Sequence, residues 1–416
     1  MTAFKTWAVN AASSGVFRAY TRPPHLPPGE HESFSRPDYP PLSVIALWTI
    51  AKSSDAVSPG LTVGSRRLTV AIKSLLLGVR VGVFLLLLWV VFRTTGDPTL
   101  AWTTALATWL NPALILNGST LGYLDAWCWA PGIAAIVASS RGHYKAAGVL
   151  LAIAMLTKHQ GVLFGFPVLA AAGRQWPAAM RLLLACGATV AVVVAPFVIF
   201  GSATGVVEGL KVNVIDDLVS GNALNFWWLV TIGLQITQSG FAAIHQELQW
   251  IDVPRLIAAT GVSPRIYTRL FVVGATLWMY ARVSRTPSLP AAASMGSLAI
   301  HTYFVFAISV HENHLVNAIP LAALAAVFWP QYWRVFWGLT AIAALNQFLF
   351  YGFGRDFDYP DRTGWFWVWT AGLSLANMIL LAAHAVLFYR CSAAAIADEG
   401  SWRAKASRPE SKSGNC

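Results

Sequence analysis

The sequence predicts an all-α polytopic membrane protein with about eleven transmembrane helices. Three observations predict this class. The 416 residues are 56% hydrophobic with a mean hydropathy of +0.56. Only 11% of them are charged, against about 25% in a soluble globular protein. The 19 Trp and 22 Phe are typical of a protein with aromatic belts at the two membrane surfaces.

Each predicted spanning helix is a run of mostly apolar residues close to the length of about 20 that a bilayer requires. Before the first run, residues 1–20 have the pattern of an amphipathic helix, with Phe4, Trp7 and Ala11 on one face. Two apolar stretches, 42–51 and 224–236, are too short to span and are predicted as interfacial or re-entrant helices. The eleven spanning runs lie near 68–92, 100–119, 121–139, 144–157, 159–173, 180–201, 266–283, 289–309, 312–330, 332–351 and 366–389.

The distribution of charge predicts the orientation of these helices. Arginine and lysine concentrate in one set of loops, which the positive-inside rule makes cytoplasmic. Residues 1–67 are then a first external loop and 68–390 the transmembrane bundle, with further external loops at 202–265 and 352–365. Residues 391–416 are small and polar, and we expect a disordered cytoplasmic tail.

The composition also bears on partners and metals. The net charge of +11 is spread singly over short loops rather than forming a basic stripe, so no nucleic-acid partner is expected. The cysteines, Cys128, Cys186, Cys391 and Cys416, have the spacing of neither a disulfide framework nor a zinc site.

The strongest polar cluster, residues 311–314, lies between two apolar helices. His311, Glu312 and His314 exceed what a tight external turn requires. A solvated turn is one interpretation. A zinc site is weaker, because the i, i+4 histidine pair of a HExxH helix is missing. The sharper hypothesis is contact with an anionic group at the membrane surface, since ionisable residues at the edge of a bilayer are expensive to keep there.

Other polar residues are predicted at the same face. Tyr123 and Asp125 stand at one outer junction, and Lys158 stands at another, where it can either extend to lipid headgroups or bind phosphate. Asp38 precedes Pro40 and the first apolar stretch, so its backbone is restricted. A carboxylate beside cationic groups suits a phosphate leaving group and an acceptor hydroxyl.

These motifs carry a resemblance to a known family. "DYPPL", "NPALILNGSTLGYLDAW", "LTKHQGVLFGFPVL" and "VHENHLVNAIPL" occur in the order found in the GT-C membrane glycosyltransferases. The chain most resembles the dolichyl-phosphate-glucose glucosyltransferases of asparagine-linked glycosylation and their bacterial relatives, over about residues 1–330. The resemblance implies a GT-C-like fold and inverting transfer of a hexose, glucose or mannose, from a polyprenyl- or dolichyl-phosphate donor to a glycan, lipid or protein acceptor. Transfer would take place on the external or lumenal face, with no metal or other cofactor.

The resemblance also implies roles for particular residues. His311 would face the donor phosphate, with Glu312 supporting the turn and Lys158 and Gln160 helping at the same pocket. Asp38 matches an aspartate of the family's first external loop. The family's usual base aspartate is expected before Met1, which makes Asp38 the substitute candidate for the base. The remaining candidates for site lining are Tyr39, Tyr123, Asp125, His314 and Arg355.

The chain departs from the family pattern in two ways. Asn313 stands where the family often has a basic residue, and the base aspartate is expected before Met1. The first alternative is that a chain starting at Met1 is a truncated, inactive member of the family. The other alternative is a secondary transporter or lipid flippase, for which Lys73 and Arg80 within the first spanning run would line a path. The Ala-rich composition and short loops favour a bacterial plasma membrane, with the endoplasmic reticulum as the alternative.

Overall fold

The computed structural model describes residues 1–21, 36–201, 203–215, 218–245, 251–261, 263–352 and 363–406, without the side chains of 212–215 and 394–406. In this part of the chain the fold is all-α, as predicted. The helices are α1 (Thr2–Ser14), α2 (Pro41–Val57), α3 (Arg66–Thr95), α4 (Pro98–Trp109), α5 (Pro112–Leu114), α6 (Ala126–Ser140), α7 (Tyr144–Thr157), α8 (Gly165–Ala172), α9 (Trp176–Phe200), α10 (Ala203–Ile215), α11 (Phe226–Ser239), α12 (Val253–Thr260), α13 (Pro264–Val283), α14 (Leu289–Phe306), α15 (Ile319–Ala326), α16 (Tyr332–Tyr351) and α17 (Trp365–Ala406).

Four helices of the described chain are long and apolar enough to cross a membrane: α3, α9, α14 and the Trp365–Ala393 part of α17. This finding agrees with the predicted association with a membrane. Other predicted runs form shorter helices: α6 has 15 residues and α7 has 14. At about 1.5 Å per residue these helices are shorter than the ~30 Å hydrocarbon core. The eleven-span arrangement therefore stays a prediction.

Local chemistry explains why one predicted run is divided. The run 100–119 breaks after α4, because the Asn111 side chain accepts from the backbone N–H groups of Ala113 and Leu114 and Pro112 begins α5. A π-helical turn follows at Ile115–Leu121. This turn places the polar residues of the second motif at one end of the bundle.

Two basic residues of α3 hold the π-helical turn in place. Lys73 Nζ donates to the Thr120 carbonyl at 2.8 Å, and the Arg80 guanidinium donates to Ser119 Oγ at 2.7 Å and to the Trp109 carbonyl at 2.6 Å. In this structure both residues therefore act as ties between α3 and its neighbours.

The helices outside the long spans also follow the sequence pattern. Residues Thr2–Ser14 form α1, whose Phe4, Trp7 and Ala11 are buried, as the amphipathic pattern predicts. The stretch 42–51 lies within α2. Residues 226–236 of the second stretch lie in α11, and Asn225 caps that helix by accepting from the Trp228 N–H. The last helix continues to Ala406, so the backbone is helical in the first part of the segment predicted as a disordered tail.

The central helix of the bundle is α14, and it determines where the site lies. Nearly all of its residues are buried, and it packs against α6, α8, α13, α15 and α17. The helix ends at Phe306, and the chain continues with Ala307 in an extended conformation. The 3₁₀ turn His314–Ala318 then leads into α15. The predicted polar cluster 311–314 therefore follows the most buried of the four helices that are long and apolar enough to cross a membrane.

Candidate functional site

A buried ion pair lies at the centre of the site. Asp125 precedes α6 and Lys158 follows α7, and Lys158 Nζ lies 2.5 Å from Asp125 Oδ1, with side chains 2% and 0% exposed. The amides of Asn117 and Asn313 donate to Asp125 Oδ2 at 3.1 and 2.8 Å. Lys158 Nζ also lies 5.5 Å from the centre of the Tyr39 ring. Burial lowers the pKa of Lys158, but the Asp125 carboxylate outweighs burial and holds that pKa above its ordinary value.

This geometry bears directly on the predicted role of Lys158. Its ammonium is buried and bound to Asp125. Direct contact with a phosphate outside the bundle therefore requires the pair to rearrange. In the structure as it stands, Lys158 neutralises Asp125 and holds the ends of α6 and α7 together.

A second buried carboxyl group lies beside the half-exposed His311. Glu312 is 1% exposed, and its Oε1 accepts a hydrogen bond from the Tyr123 hydroxyl at 2.7 Å. Its Oε2 lies 3.9 Å from Nδ1 of His311, whose side chain is 40% exposed. Burial raises the pKa of Glu312, while His311 and the Tyr123 hydroxyl act in the opposite direction. The result is a half-exposed imidazole supported by a buried carboxyl group.

The backbone around His311 is fixed by a segment distant in sequence, residues 218–225, which we call the clamp segment. The Gly221 N–H donates to the Val310 carbonyl at 2.9 Å. Isolated β-bridges pair Gly221 and Asn222 with His311. The clamp segment is therefore paired by main-chain hydrogen bonds with the extended chain that follows α14.

The contact between the two segments is tight. A Cβ atom on Gly221 would lie 2.6 Å from Nδ1 of the His311 ring, so any other residue at this position would require the ring or the backbone to move. Asn222 and Ser309 have φ values of 63° and 59°, in the left-handed region that few non-glycine residues adopt. Such strained conformations are retained where the surrounding structure determines them, and here they flank the imidazole of His311.

Buried asparagines hold the clamp segment from the other side. Asn346 donates to the Asn222 carbonyl at 2.7 Å and accepts from the Leu224 N–H at 2.9 Å. Asn377 of α17 donates to the Leu224 carbonyl at 2.9 Å, and the Asn222 amide donates to the Tyr351 hydroxyl at 3.3 Å. The clamp segment is thus connected to both α16 and α17.

His314 connects the third and fourth motifs. Its Nδ1 accepts from the His311 backbone N–H at 3.4 Å, and its Nε2 lies 2.6 Å from the side-chain amide of Gln160. The ring stacks on Tyr303 with centroids 6.1 Å apart, and it meets His159 edge-on at the same distance. His314 is buried, so it supports the turn from inside.

The first motif reaches the cluster through an aromatic contact. Tyr39 packs against Phe4 and Trp7 at 5.4 and 5.5 Å between ring centroids, and its carbonyl accepts from the Tyr20 hydroxyl. Burial raises the pKa of Tyr20, and the neighbouring Asp38 carboxylate adds to this effect. Asp38 is therefore placed beside Tyr20 and Tyr39, on the α1 and α2 side of the site.

Most of the residues singled out from the sequence meet at this end of the bundle. Arg355 lies outside the described residues, as does most of its loop. Asp38 joins the cluster through the neighbouring Tyr39. Contacts join Tyr39, Lys158 and Asp125 in one group. They join Tyr123, Glu312, His311, His314 and Gln160 in a second group. Asn313, in the same turn as the second group, links the two through its hydrogen bond to Asp125.

Sequence reasoning missed two features. Gly221 and Asn222 carry only the local pattern of a Ser-Gly-Asn turn. The second feature is a buried polar contact inside the bundle, where Nδ1 of His301 lies 3.3 Å from Nδ1 of His384 and Nε2 of His301 lies 3.0 Å from Oδ1 of Asn377. The sequence feature that indicates this contact is the helical spacing of His301 in α14 and of Asn377 and His384 in α17, two helices that are otherwise mostly apolar.

Among the described residues, no group of three or more His, Cys, Asp or Glu side chains is arranged to hold a metal ion. Comparison with models of known protein families gives no match for the chain, and comparison with curated proteins gives none either.

Proposed function

We propose that the chain is an integral membrane glycosyltransferase. It transfers a hexose from a polyprenyl-phosphate-linked donor to an acceptor hydroxyl, by inverting single displacement at the predicted external face. The proposal rests on the observation that the four motifs meet at one place in the fold. Tyr39, Asp125, Lys158 and Glu312 come from the four motifs of the resemblance and belong to one buried cluster, with His311 half-exposed beside it. Charges buried at the edge of a membrane are expensive and are typical of functional sites.

The proposed reaction has defined chemical requirements. The acceptor oxygen attacks the anomeric carbon of the donor, and the bond from that carbon to the phosphate oxygen breaks, with its electron pair leaving on phosphate. A group must take the acceptor proton, and the reacting atoms must be held in position. His311 is the half-exposed ionisable group of the cluster, and the buried residues beneath it fix its position. This arrangement suits a reaction that takes place at the surface of the bundle.

A neighbouring apolar groove supports a lipid-linked donor. The groove has a volume of about 480 Å³ and lies between α11, α12, α13 and α14. The indole N–H of Trp227 donates to the Phe306 carbonyl at 2.6 Å, which joins the groove wall to the end of α14 from which the chain runs to His311. A tail that enters the groove from the bilayer leaves hydrocarbon rather than water, so shape and dispersion contacts with the apolar lining, not the hydrophobic effect, would hold it there. The aromatic lining residues are Phe226, Trp227, Tyr267, Phe271 and Phe306.

The test is a transfer assay with the full chain in lipid nanodiscs. Polyprenyl-phosphate-glucose and polyprenyl-phosphate-mannose, each labelled in the sugar, are supplied together with a bacterial membrane extract as the source of acceptors. We expect label to move to a new covalent product, with release of polyprenyl phosphate, from one of the two donors. His311→Ala should abolish this transfer, whereas His143→Ala, at an exposed histidine on the predicted cytoplasmic side, should not.

A second measurement separates the transporter alternative. The same chain in proteoliposomes is tested for movement of each labelled donor across the bilayer. Transport of a donor without any covalent product from either sugar would refute the proposed transfer and favour a flippase.

A further inference from the structure

We infer that His301 and Asn377 are positioning residues of the proposed site, and that they hold the clamp segment through a chain of hydrogen bonds with fixed donor directions. His301 lies in α14, and Asn377 and His384 lie in α17. The hold on the clamp segment follows from the geometry of these residues. Its consequence for transfer rests on the proposed function.

The surroundings of the two histidines keep both imidazoles neutral. His301 and His384 have no exposed surface. Their hydrogen-bond and ring partners among the described residues are each other, Asn377 and Tyr332, and none of these is a carboxylate. A charge buried without a counter-charge is expensive, so an imidazolium is disfavoured at both positions.

The direction of each hydrogen bond then follows from the outer end of the chain. The Leu224 carbonyl can only accept, so the Asn377 amide nitrogen donates to it, at 2.9 Å. Oδ1 of Asn377 therefore accepts from Nε2 of His301 at 3.0 Å. A neutral imidazole with its hydrogen on Nε2 has a lone pair on Nδ1, so Nδ1 of His384, 3.3 Å away, is the donor. Nε2 of His384 is buried without a partner among the described groups, which suits a nitrogen without a hydrogen.

These buried polar side chains are not required for packing. They lie in α14 and α17, two of the helices long and apolar enough to cross a membrane. Replacing both partners of a buried hydrogen bond by apolar groups of the same shape is nearly neutral in free energy or stabilising. Ionisable residues in such helices are typical of functional positions. A fully directed chain of hydrogen bonds fixes one arrangement of the segment at its end, and that segment is the clamp segment.

The backbone of the clamp segment carries this hold to His311. The Leu224 N–H donates to Asn346 at 2.9 Å, so Leu224 is held by α16 through its N–H and by α17 through its carbonyl. Earlier in the segment, the Gly221 N–H donates to the Val310 carbonyl at 2.9 Å. The Gly221 backbone also lies against the His311 ring. A shift of Leu224 therefore moves the backbone that sets the position of His311.

The first test is backbone hydrogen exchange of the full chain in lipid nanodiscs without substrate. The Gln amide nitrogen in His301→Gln stands as many bonds from the backbone as Nε2 of histidine and can still donate to Asn377. The shorter side chain in His301→Asn reaches only the position of Nδ1. We expect exchange in residues 218–225 to rise by about 3- to 10-fold in His301→Asn, the effect of one lost hydrogen bond on a local opening. Exchange in His301→Gln should stay close to that of the wild type.

Thr302→Ala is the matched control for the exchange measurement. The buried Thr302 hydroxyl donates to the Leu298 carbonyl within α14, so its loss removes a polar group from the same helix without touching the clamp segment. This variant should leave exchange in residues 218–225 unchanged. Equal exchange in the two His301 variants, or a rise spread evenly over the whole chain, would overturn the hold on the clamp segment.

The donor directions can be measured in the wild-type chain, so they do not depend on the folding of a variant. Solid-state NMR of the chain labelled with ¹⁵N-histidine distinguishes ring nitrogens with and without a hydrogen. A cross-peak between two Nδ1 nitrogens 3.3 Å apart identifies the pair. We expect the hydrogen on Nε2 of His301 and on Nδ1 of His384. An imidazolium at either residue, or a hydrogen on Nδ1 of His301, would overturn the donor directions.

The transfer assay tests the consequence for the site. His301→Asn should lower kcat by about 10- to 100-fold with little change in KM for the donor, because a misplaced reacting group costs rate rather than binding. His301→Gln should retain most of the rate. A donor KM that changes as much as kcat would overturn the positioning role. Absence of transfer by the wild-type chain would overturn the proposed function, while the exchange and NMR results would still confirm or overturn the hold on the clamp segment.

Discussion

Replacing Asp125 by Asn would leave the ammonium of Lys158 buried without its counter-charge. Lys158 is 1% exposed, and its Nζ lies 2.5 Å from Asp125 Oδ1. Removing one partner of a buried ion pair costs about 3–5 kcal/mol, because the remaining charge has lost both water and its partner. We therefore expect Asp125→Asn to lower the free energy of unfolding by about that amount.

The opposite replacement should cost less. In Lys158→Met the Asp125 carboxylate keeps two amide donors, from Asn117 at 3.1 Å and Asn313 at 2.8 Å. Hydrogen bonds to charged groups each contribute about 1.5–3 kcal/mol, so the Met variant should be more stable than Asp125→Asn by about 1–3 kcal/mol. The double variant should recover most of the loss, since exchange of a buried pair for neutral groups is often close to neutral in free energy.

The assay is reversible unfolding of the purified chain in mild detergent titrated with SDS, followed by tryptophan fluorescence. Glu208→Gln is the matched control, because it removes the carboxylate of the exposed pair between Arg36 and Glu208, whose side chains are 30% and 53% exposed. Exposed pairs contribute about 0–1 kcal/mol, so this variant should stay close to the wild type. The reasoning fails if Asp125→Asn is no more destabilising than Glu208→Gln, or if the losses of the two single variants simply add in the double variant.

Three further predictions concern the same fold. Gly221→Ala should displace the His311 ring, which lies 2.6 Å from the position of the new Cβ, and lower kcat by about 10²-fold; Gly233→Ala, which meets nothing within 4 Å, should leave kcat unchanged. Burial raises the pKa of Glu312, so ionising this carboxyl group costs the folded state more than the unfolded state. The wild type should therefore lose stability as the pH rises from about 4.3 through the raised pKa. Glu312→Gln should have the higher melting temperature at pH 8, and the same difference at pH 4 would contradict this reasoning. Gly148→Ala places a Cβ 2.2 Å from a backbone carbonyl of α9, so a melting temperature equal to that of the wild type would contradict the close packing of α7 on α9.

The helices themselves were largely predictable, because hydrophobic runs and capping residues act over one or two turns. The amphipathic pattern of 1–20 predicted α1, and the apolar run at 289–309 predicted α14. The break after α4 followed from Asn111 and Pro112, whose local chemistry is visible in the sequence but was outweighed by the apolar run around it. The number of spans could not be confirmed from helix length, since α6 and α7 are short for a crossing.

The sequence by itself determined the class of the protein and the residues worth examining, because charged and polar groups are conspicuous in a chain that is 56% hydrophobic. It did not determine which of these groups meet. Lys158 is bound to Asp125, 33 residues away, and Asn313 donates to the same carboxylate from 188 residues away. The contact between Gly221 and His311 joins two segments whose local patterns say nothing of each other. Only the tertiary structure decided these pairings, because periodicity reports the face of a single helix, whereas an ion pair depends on which helix ends pack together and exclude water.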